Sequence, residues 1–190
     1  MKPITENIIE QSAIELLQQQ GWEYANGREL SPEGLFCERE NYQQIILTNR
    51  LRSAIAKINP HIPADAQEAA VQKVLRIYSP VLLQNNEDFH RLLVEKVKIP
   101  YQQNGYERSH EVALIDFENT GNNQFLVVNQ FTIIENNQNK RPDVLLFVNG
   151  LPLVVIELKN AADENAGLLS AYKQLQTYKA IIPGLFTYNA

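Results

Sequence analysis

The fold of this chain is decided by two segments, Arg141-Pro142-Asp143-Val144-Leu145-Leu146-Phe147 and Val154-Val155-Ile156-Glu157-Leu158-Lys159. Both are apolar at nearly every position, which is the pattern of strands that are covered on both faces of a sheet. Charged side chains at the ends of such strands cost free energy unless they are paired or bind a metal ion. Asp143, Glu157 and Lys159 nevertheless stand there, so the two segments predict a functional site at one end of a buried sheet.

The geometry of strands decides which of these side chains can act together. Glu157 and Lys159 are two residues apart and therefore point to one face. Asp143 shares that face only if the hairpin connection holds an odd number of residues, because a slip of one residue reverses every side chain. We predict a three-residue loop over residues 148–150 with its glycine in the left-handed conformation, which pairs Asp143 with Val155, diagonal to Glu157. A two-residue turn would place the two carboxylates on opposite faces.

Two carboxylates and one ammonium group on a single face suit the hydrolysis of a phosphodiester. Mg²⁺ is usually held by one or two protein carboxylates and keeps its other positions for water and phosphate. We therefore expect Asp143 and Glu157 to hold Mg²⁺, with the backbone carbonyl of Leu158 as a further ligand. The ion would activate a water for attack on phosphorus, and Lys159 would position that water or help to deprotonate it. A plain surface ion pair is the alternative, but Glu157-Leu158-Lys159 is the only Asp/Glu-x-Lys triplet in the chain.

Helical periodicity dominates the first half of the chain. Thr5 can cap a first helix with an apolar stripe of Ile8, Ile9, Ala13, Leu16 and Leu17, and Gly21 can end it. The stretch 22–40 is rich in turn residues and is predicted to be irregular. Three further helices are expected around Leu51, Val71 and Phe89, the third with Asp88 near its start, and Pro60 ends the first of them.

Strand-like patterns follow after Lys98. We predict strands over 111–117, 125–134, 144–148 and 153–158, a helix from Asp163 to about Lys179, and a last strand beginning within 181–188. The fold class is α/β, with a mixed central β-sheet flanked by helices and an inserted helical block. We expect a single domain over residues 1–190, with the insertion at about 41–98 and the catalytic core at about 110–190. The abrupt ending suggests a fragment of a longer chain.

Composition limits the functions that this chain can have. With 17 basic and 22 acidic residues, the net charge is −5, which argues against a protein that holds DNA by bulk charge. Cys37 is the only cysteine, so no internal disulfide can form and a reducing compartment is expected. No apolar run approaches the roughly 18 residues of a membrane span, and the N-terminus lacks a signal peptide. These observations predict a cytoplasmic domain.

The motif residues resemble a known superfamily. Pro142-Asp143 with Glu157-Leu158-Lys159 is similar to the motif of the PD-(D/E)xK nucleases, and Gln174-Leu175-Gln176-Thr177-Tyr178 is similar to the Gln-x-x-x-Tyr motif of helicase-nucleases. The closer resemblance is to the N-terminal nuclease domain of type I restriction enzyme motor (R) subunits. It is carried by the segments 59–63, 115–117, 129–132 and 149–153, and it covers nearly the whole chain.

This resemblance implies more than the residues do. Such subunits cut double-stranded DNA after an ATP-driven motor on the same polypeptide has translocated it, in a complex with modification (M) and specificity (S) subunits. This chain has no Gly-x-x-x-x-Gly-Lys-Ser/Thr loop, so ATP would be bound by the rest of the subunit. Two other functions stay open: a repair or recombination nuclease of the same superfamily, and a nuclease-like module kept for docking or for guiding DNA.

Five further residues are candidates for supporting roles. Gln174 and Tyr178 are one helical turn apart and can orient substrate or the lysine, or can simply pack a tyrosine. Glu10 can approach the metal, as a helix acid does in some relatives, although a solvated helix glutamate is the ordinary alternative. Lys140 and Arg141 can contact the DNA backbone, or can be solvated loop charges.

Overall fold

The computed structural model describes residues 5–159 and 167–189. Its helices are α1 (Glu6–Gln19), α2 (Thr48–Ile58), α3 (Ala64–Leu75), α4 (Leu82–Glu95), α5 (Leu168–Ile181) and α6 (Pro183–Thr187). Its strands are β1 (Glu23–Asn26), β2 (Val97–Gln103), β3 (Tyr106–Val112), β4 (Phe125–Asn129), β5 (Ile133–Glu135), β6 (Gln138–Lys140), β7 (Val144–Val148) and β8 (Leu151–Ile156). No helix in this described part is long and apolar enough to cross a membrane.

The central sheet has four strands in the order β1-β4-β7-β8. β1 pairs with β4 in parallel, whereas β4–β7 and β7–β8 are antiparallel. Two separate hairpins, β2–β3 and β5–β6, stand outside this sheet. The mixed sheet flanked by helices confirms the predicted α/β class.

Both faces of the sheet are covered, and β7 is buried at every position. Its residues alternate between two cores because successive side chains of a strand point to opposite faces. Leu145 and Phe147 pack with Tyr178 of α5 and with residues of α6. Val144 and Leu146 pack on the other face with Ile14 of α1. The residues that flank β7 and β8 therefore lie between α1 and α5.

In sequence, the helices α2, α3 and α4 lie between α1 and the strands that carry the site, and they form one helical block. Their apolar faces share one core with β2, β3 and the turn end of the β7–β8 hairpin. Val148 and Leu151, next to that turn, belong to this core. The block therefore supports the end of the hairpin opposite to Asp143 and Glu157.

The apolar stripe predicted for α1 is wrong in part. Ile8 and Leu16 are 45% and 56% exposed, whereas Ile14 is buried. Ile14 follows Glu10 by one turn, so the face that packs on the sheet carries Glu10 at its N-terminal end.

Several predicted strand boundaries are also wrong. The stretch 22–40, expected to be irregular, contains β1, a short edge strand with a partly exposed burial pattern that holds its place by pairing with β4. The strand expected over 111–117 ends at Val112 as β3, and its partner β2 was missed. The strand expected over 125–134 is interrupted after Asn129, where Gln130 has a φ of 54°. The strand expected over 153–158 runs from Leu151 to Ile156.

Three helix predictions need similar revision. α4 begins at Leu82, six residues before Asp88. Residues 183–187 form α6 rather than a strand, because Pro183 at the first helical position already has the required φ and loses no hydrogen bond there. The predicted start of the last long helix at Asp163 lies outside the described residues, and that helix ends at Ile181.

Candidate active site

A two-residue turn, not the predicted three-residue loop, joins β7 and β8. Val148 pairs with Leu151, and the turn residues Asn149 and Gly150 have φ values of 54° and 79°. Only glycine fits at position 150, because the Cβ of any other residue would lie 2.4 Å from the backbone oxygen of Leu47. The predicted pairing of Asp143 with Val155 is therefore wrong.

A β-bulge nevertheless brings the two carboxylates to one face. Phe147 pairs with Pro152 but Leu146 pairs with Val154, so Leu153 is an extra residue that has no partner on β7. The extra residue reverses the parity that the two-residue turn would impose. Val144 then pairs with Ile156, and continuing this register places Asp143 opposite Glu157. Bulges are common next to active sites because they redirect a side chain.

Short polar contacts tie the motif residues together. The backbone N–H of Leu158 donates to Oδ2 of Asp143 at 2.7 Å. Lys159 Nζ donates to Oε1 of Glu157 at 2.9 Å. The side chain of Glu157 is only 1% exposed, whereas that of Lys159 is 20% exposed. The three side chains therefore meet at the end of the β7–β8 hairpin, with the glutamate innermost.

Glu157 has an unused acceptor. Its Oε2 is buried and has no donor of a described residue in hydrogen-bonding geometry, although the Tyr178 hydroxyl is near enough to oppose the rise in the pKa of Glu157. A buried carboxylate oxygen without a donor is costly, and a cation is one group that would satisfy it. Among the described residues, no cluster of three or more His, Cys, Asp or Glu could hold a metal ion. Mg²⁺ does not need such a cluster, since it is often held by one or two carboxylates, and the residues present fit it.

Burial governs the ionisation of both carboxyl groups. It raises the pKa of Asp143 above its ordinary 3.8, against the Leu158 amide and Lys159, and the charges of Glu10 and Glu6 raise it further. Burial also raises the pKa of Glu157 above 4.5, opposed by Lys159 and reinforced by the charge of Asp143. The folded chain without metal therefore resists holding two negative charges here.

Lys159 responds in the opposite sense. Burial lowers its pKa, but the hydrogen bond to Glu157 and the charges of Glu157, Glu6 and Asp143 outweigh that effect, so the pKa is raised above 10.5. Lys159 is consequently a charged hydrogen-bond donor at neutral pH. This favours water positioning and charge stabilisation over proton abstraction.

Gln174 and Tyr178 lie one turn apart on the face of α5 that is directed at this site. Gln174 Nε2 donates to the Tyr178 hydroxyl at 2.7 Å. Tyr178 is buried, and its pKa is raised to about 12, first by burial and then by the charges of Glu157 and Asp143 against the effect of Gln174. The hydroxyl therefore stays protonated, and Gln174 occupies one of its acceptor positions, leaving its hydrogen available to a carboxylate.

Glu10 is held at the site and is not a freely solvated helix residue. Asn129 Nδ2 donates to Glu10 Oε1 at 2.6 Å, and Tyr24 donates its hydroxyl hydrogen to Asn129 Oδ1 at 3.0 Å. Asn129 pairs with Val144, which follows Asp143 directly. Sequence reasoning missed Asn129 and Tyr24, because neither belongs to the motif. A helical stripe drawn through Ile14 would have placed Glu10 on the packed face.

In the described part of the structure, Lys140 and Arg141 form no ion pair with Asp143 or Glu157. Lys140 ends β6 and is half-buried, whereas Arg141 is exposed between β6 and β7. The role of the Leu158 carbonyl as a metal ligand stays a prediction; the Leu158 group that contacts Asp143 is its N–H.

The raised pKa values predict how the metal-free chain responds to pH. A carboxyl with a raised folded-state pKa binds more protons when folded, so its contribution to stability is present at low pH and is lost as the pH rises through that pKa. Relative to the double variant Asp143→Asn/Glu157→Gln, we expect wild type to lose free energy of unfolding as the pH rises from about 4 towards 7. Urea unfolding of both chains in EDTA measures this difference. If the difference in free energy of unfolding between the two chains does not change with pH, the pKa values of Asp143 and Glu157 are not raised by burial.

Comparisons with known proteins agree along the whole chain. Residues 3–190 match the family model described as "Type I restriction enzyme R protein N terminus". The chain is 43% identical, over 98% of its length, to the type I restriction enzyme HindI endonuclease subunit of Haemophilus influenzae. It is 35% identical, over 95% of its length, to a putative type I restriction enzyme MjaIXP endonuclease subunit of Methanocaldococcus jannaschii. The matched regions are 18% and 17% of these two relatives, so the chain spans less than a fifth of their length.

Proposed function

Because the chain belongs to the family of type I restriction enzyme R protein N-termini, we propose that it is the Mg²⁺-dependent endonuclease domain of such a subunit. Its reaction is the hydrolysis of phosphodiester bonds in double-stranded DNA. The observation that carries this proposal is the buried Glu157 Oε2, which lacks a donor among the described residues and lies beside Asp143 and Lys159. An ordinary strand-end ion pair would have no reason to bury such an atom.

The protein residues divide the chemical work. Asp143 and Glu157 would hold Mg²⁺, with the Leu158 carbonyl as a third ligand, and the ion would supply charge stabilisation and a more acidic water. Lys159, charged at neutral pH, donates to the attacking water or to a phosphate oxygen and offsets the charge that develops there. Tyr178, oriented by Gln174, lies on the α5 side of Glu157 with its hydroxyl hydrogen free for a substrate or water oxygen at the site. Glu10 adds negative charge on the α1 side and favours cation binding.

The remaining parts of the proposal concern the longer protein. ATP-driven translocation by the rest of the subunit would deliver the DNA, within a complex that contains modification and specificity subunits. An acidic chain can then act on DNA without binding it strongly by itself. We propose one catalytic domain over residues 1–190, with the helical insertion at about 41–98 and the core at about 110–190, acting in the cytoplasm.

The substitution Glu157→Gln tests this proposal against a matched control, Glu111→Gln, at an exposed position of β3. Since Gln keeps the shape but removes the charge, we expect Glu157→Gln to reduce DNA cleavage by about 10²-fold or more and to remove the rise in melting temperature that Mg²⁺ causes. Glu111→Gln should change neither. Cleavage assays and thermal unfolding with and without Mg²⁺ provide the two readouts. Full cleavage by Glu157→Gln would refute the site.

A further inference from the structure

The β5–β6 hairpin, residues 133–140, leads directly into the candidate site. Its turn residues Asn136 and Asn137 both have positive φ, 50° and 60°, as a two-residue hairpin turn of the type that matches strand twist requires. Lys140 is three residues before Asp143, so their Cα atoms are at most about 11 Å apart. Asn137 is six residues before Asp143, which limits that separation to about 20 Å.

The base of this hairpin is firmly attached to the domain. Ile133 is fully buried among the α5 and α6 side chains. The N–H of Gly184 donates to Glu135 Oε2 at 3.1 Å, and the N–H of Ile134 donates to the Tyr42 carbonyl at 3.2 Å. Its tip therefore projects from a fixed base.

The segment from the hairpin turn to the candidate site has a composition that differs from the rest of the chain. Residues 136–141 read Asn-Asn-Gln-Asn-Lys-Arg: four amide residues at the turn and on β6, then Lys140 at the base of the hairpin opposite Ile133 and Arg141 just after it, with no acidic residue in a chain whose net charge is −5. The four amide residues 136–139 and Arg141 are exposed. The other hairpin, β2–β3, carries both signs of charge, because the positive charges of Lys98 and Arg108 are balanced by the negative charges of Glu107 and Glu111.

These features match one ligand, duplex DNA. Asn and Gln side chains carry both donors and acceptors and pair with the edges of bases, and Arg binds phosphate oxygens with two parallel hydrogen bonds. The major groove is wide enough to admit a two-stranded β-ribbon. We propose that the β5–β6 hairpin is a DNA-contact element that lies in a groove next to the phosphate to be cut. This inference rests on the proposed nuclease function and adds the element that holds the substrate.

The two hairpins provide a matched test. Each turn has an exposed Asn with positive φ next to an exposed Gln: Asn137 and Gln138 in β5–β6, Asn104 and Gln103 in β2–β3. The pairs Asn137→Asp/Gln138→Glu and Asn104→Asp/Gln103→Glu keep side-chain shape and change the net charge equally. Both are made in a Lys159→Ala chain, so that cleavage is slow compared with the measurement, and binding to a fluorescein-labelled duplex is measured by anisotropy with Mg²⁺ present.

We expect the β5–β6 pair to weaken duplex binding by about tenfold or more and the β2–β3 pair by about twofold or less, with equal melting temperatures. Equal weakening would show a general charge effect and overturn the proposal. So would unchanged binding, or a parent chain that fails to bind at about 100 µM, the weak limit of non-specific DNA binding.

A β5–β6 double variant that binds DNA normally but no longer binds a protein partner would overturn the proposal in favour of protein docking. Because the readout is binding, failure of the hairpin proposal is distinct from failure of the nuclease proposal, which Glu157→Gln cleavage decides.

Discussion

Replacing Lys159 by alanine is expected to reduce DNA cleavage by about 10²- to 10³-fold while ATP hydrolysis by the complete enzyme continues unchanged. Lys159 contacts Glu157 at 2.9 Å and is only partly exposed, so its ammonium group is held where charge would develop on the phosphate. The truncation removes that charge, and under the proposed function it leaves untouched the motor of the longer protein, which would lie outside this chain. The measurement is cleavage and ATPase activity of the reconstituted complex, wild type against variant.

The control for this experiment is Lys173→Ala, an exposed lysine on α5, which should leave both activities intact. If Lys159→Ala retains both activities, Lys159 is dispensable and the proposed site is wrong. If it loses both, the substitution has damaged the structure. Lost cleavage with normal ATPase separates the nuclease site from the motor.

Replacing Arg39 by methionine is expected to lower the free energy of unfolding by about 3–5 kcal/mol. Arg39 is 1% exposed, and its guanidinium donates to the carbonyls of Gln44, Thr132 and Tyr42 at 2.8–2.9 Å. It also lies 3.9 Å from the centre of the Phe131 ring. Methionine fills much of the space but leaves three carbonyls without their donor.

Arg52→Met is the matched control for Arg39→Met. Arg52 pairs with Glu68 at 2.8 Å, but the two side chains are 44% and 45% exposed, so the loss should stay within about 1 kcal/mol. Urea unfolding of both variants measures the difference. Equal losses would mean that the buried arginine contributes no more than a surface ion pair. The pKa of Arg39 is lowered to about 10 by burial, so the group remains charged at neutral pH.

Much of the site could be predicted because it lies in a continuous local pattern. The apolar runs of β7 and β8 and the polar residues at their ends are visible in the printed sequence. The family predicted from these motifs is confirmed by the match over residues 3–190. The functional roles of Asp143, Glu157 and Lys159 stay predictions that the experiments above decide.

The register of the hairpin could not be predicted, although it determines whether the site exists. Parity reasoning required an odd connection and therefore a three-residue loop. The chain instead combines a two-residue turn with an extra residue at Leu153, and the two shifts of parity cancel. A bulge has no strong local signature, because it depends on how the partner strand and the core on each face accept the extra residue.

Local sequence accounts for the strand character of the central segments, the position of the motif and the chemistry that its side chains permit. These follow from periodicity and side-chain type, which act over a few residues. Tertiary structure decided the short edge strand β1, the placement of Glu10 by Asn129 and the burial of Arg39. Each of these includes at least one partner more than 90 residues away along the chain, and such contacts exist only once the sheet and its two covering layers have assembled.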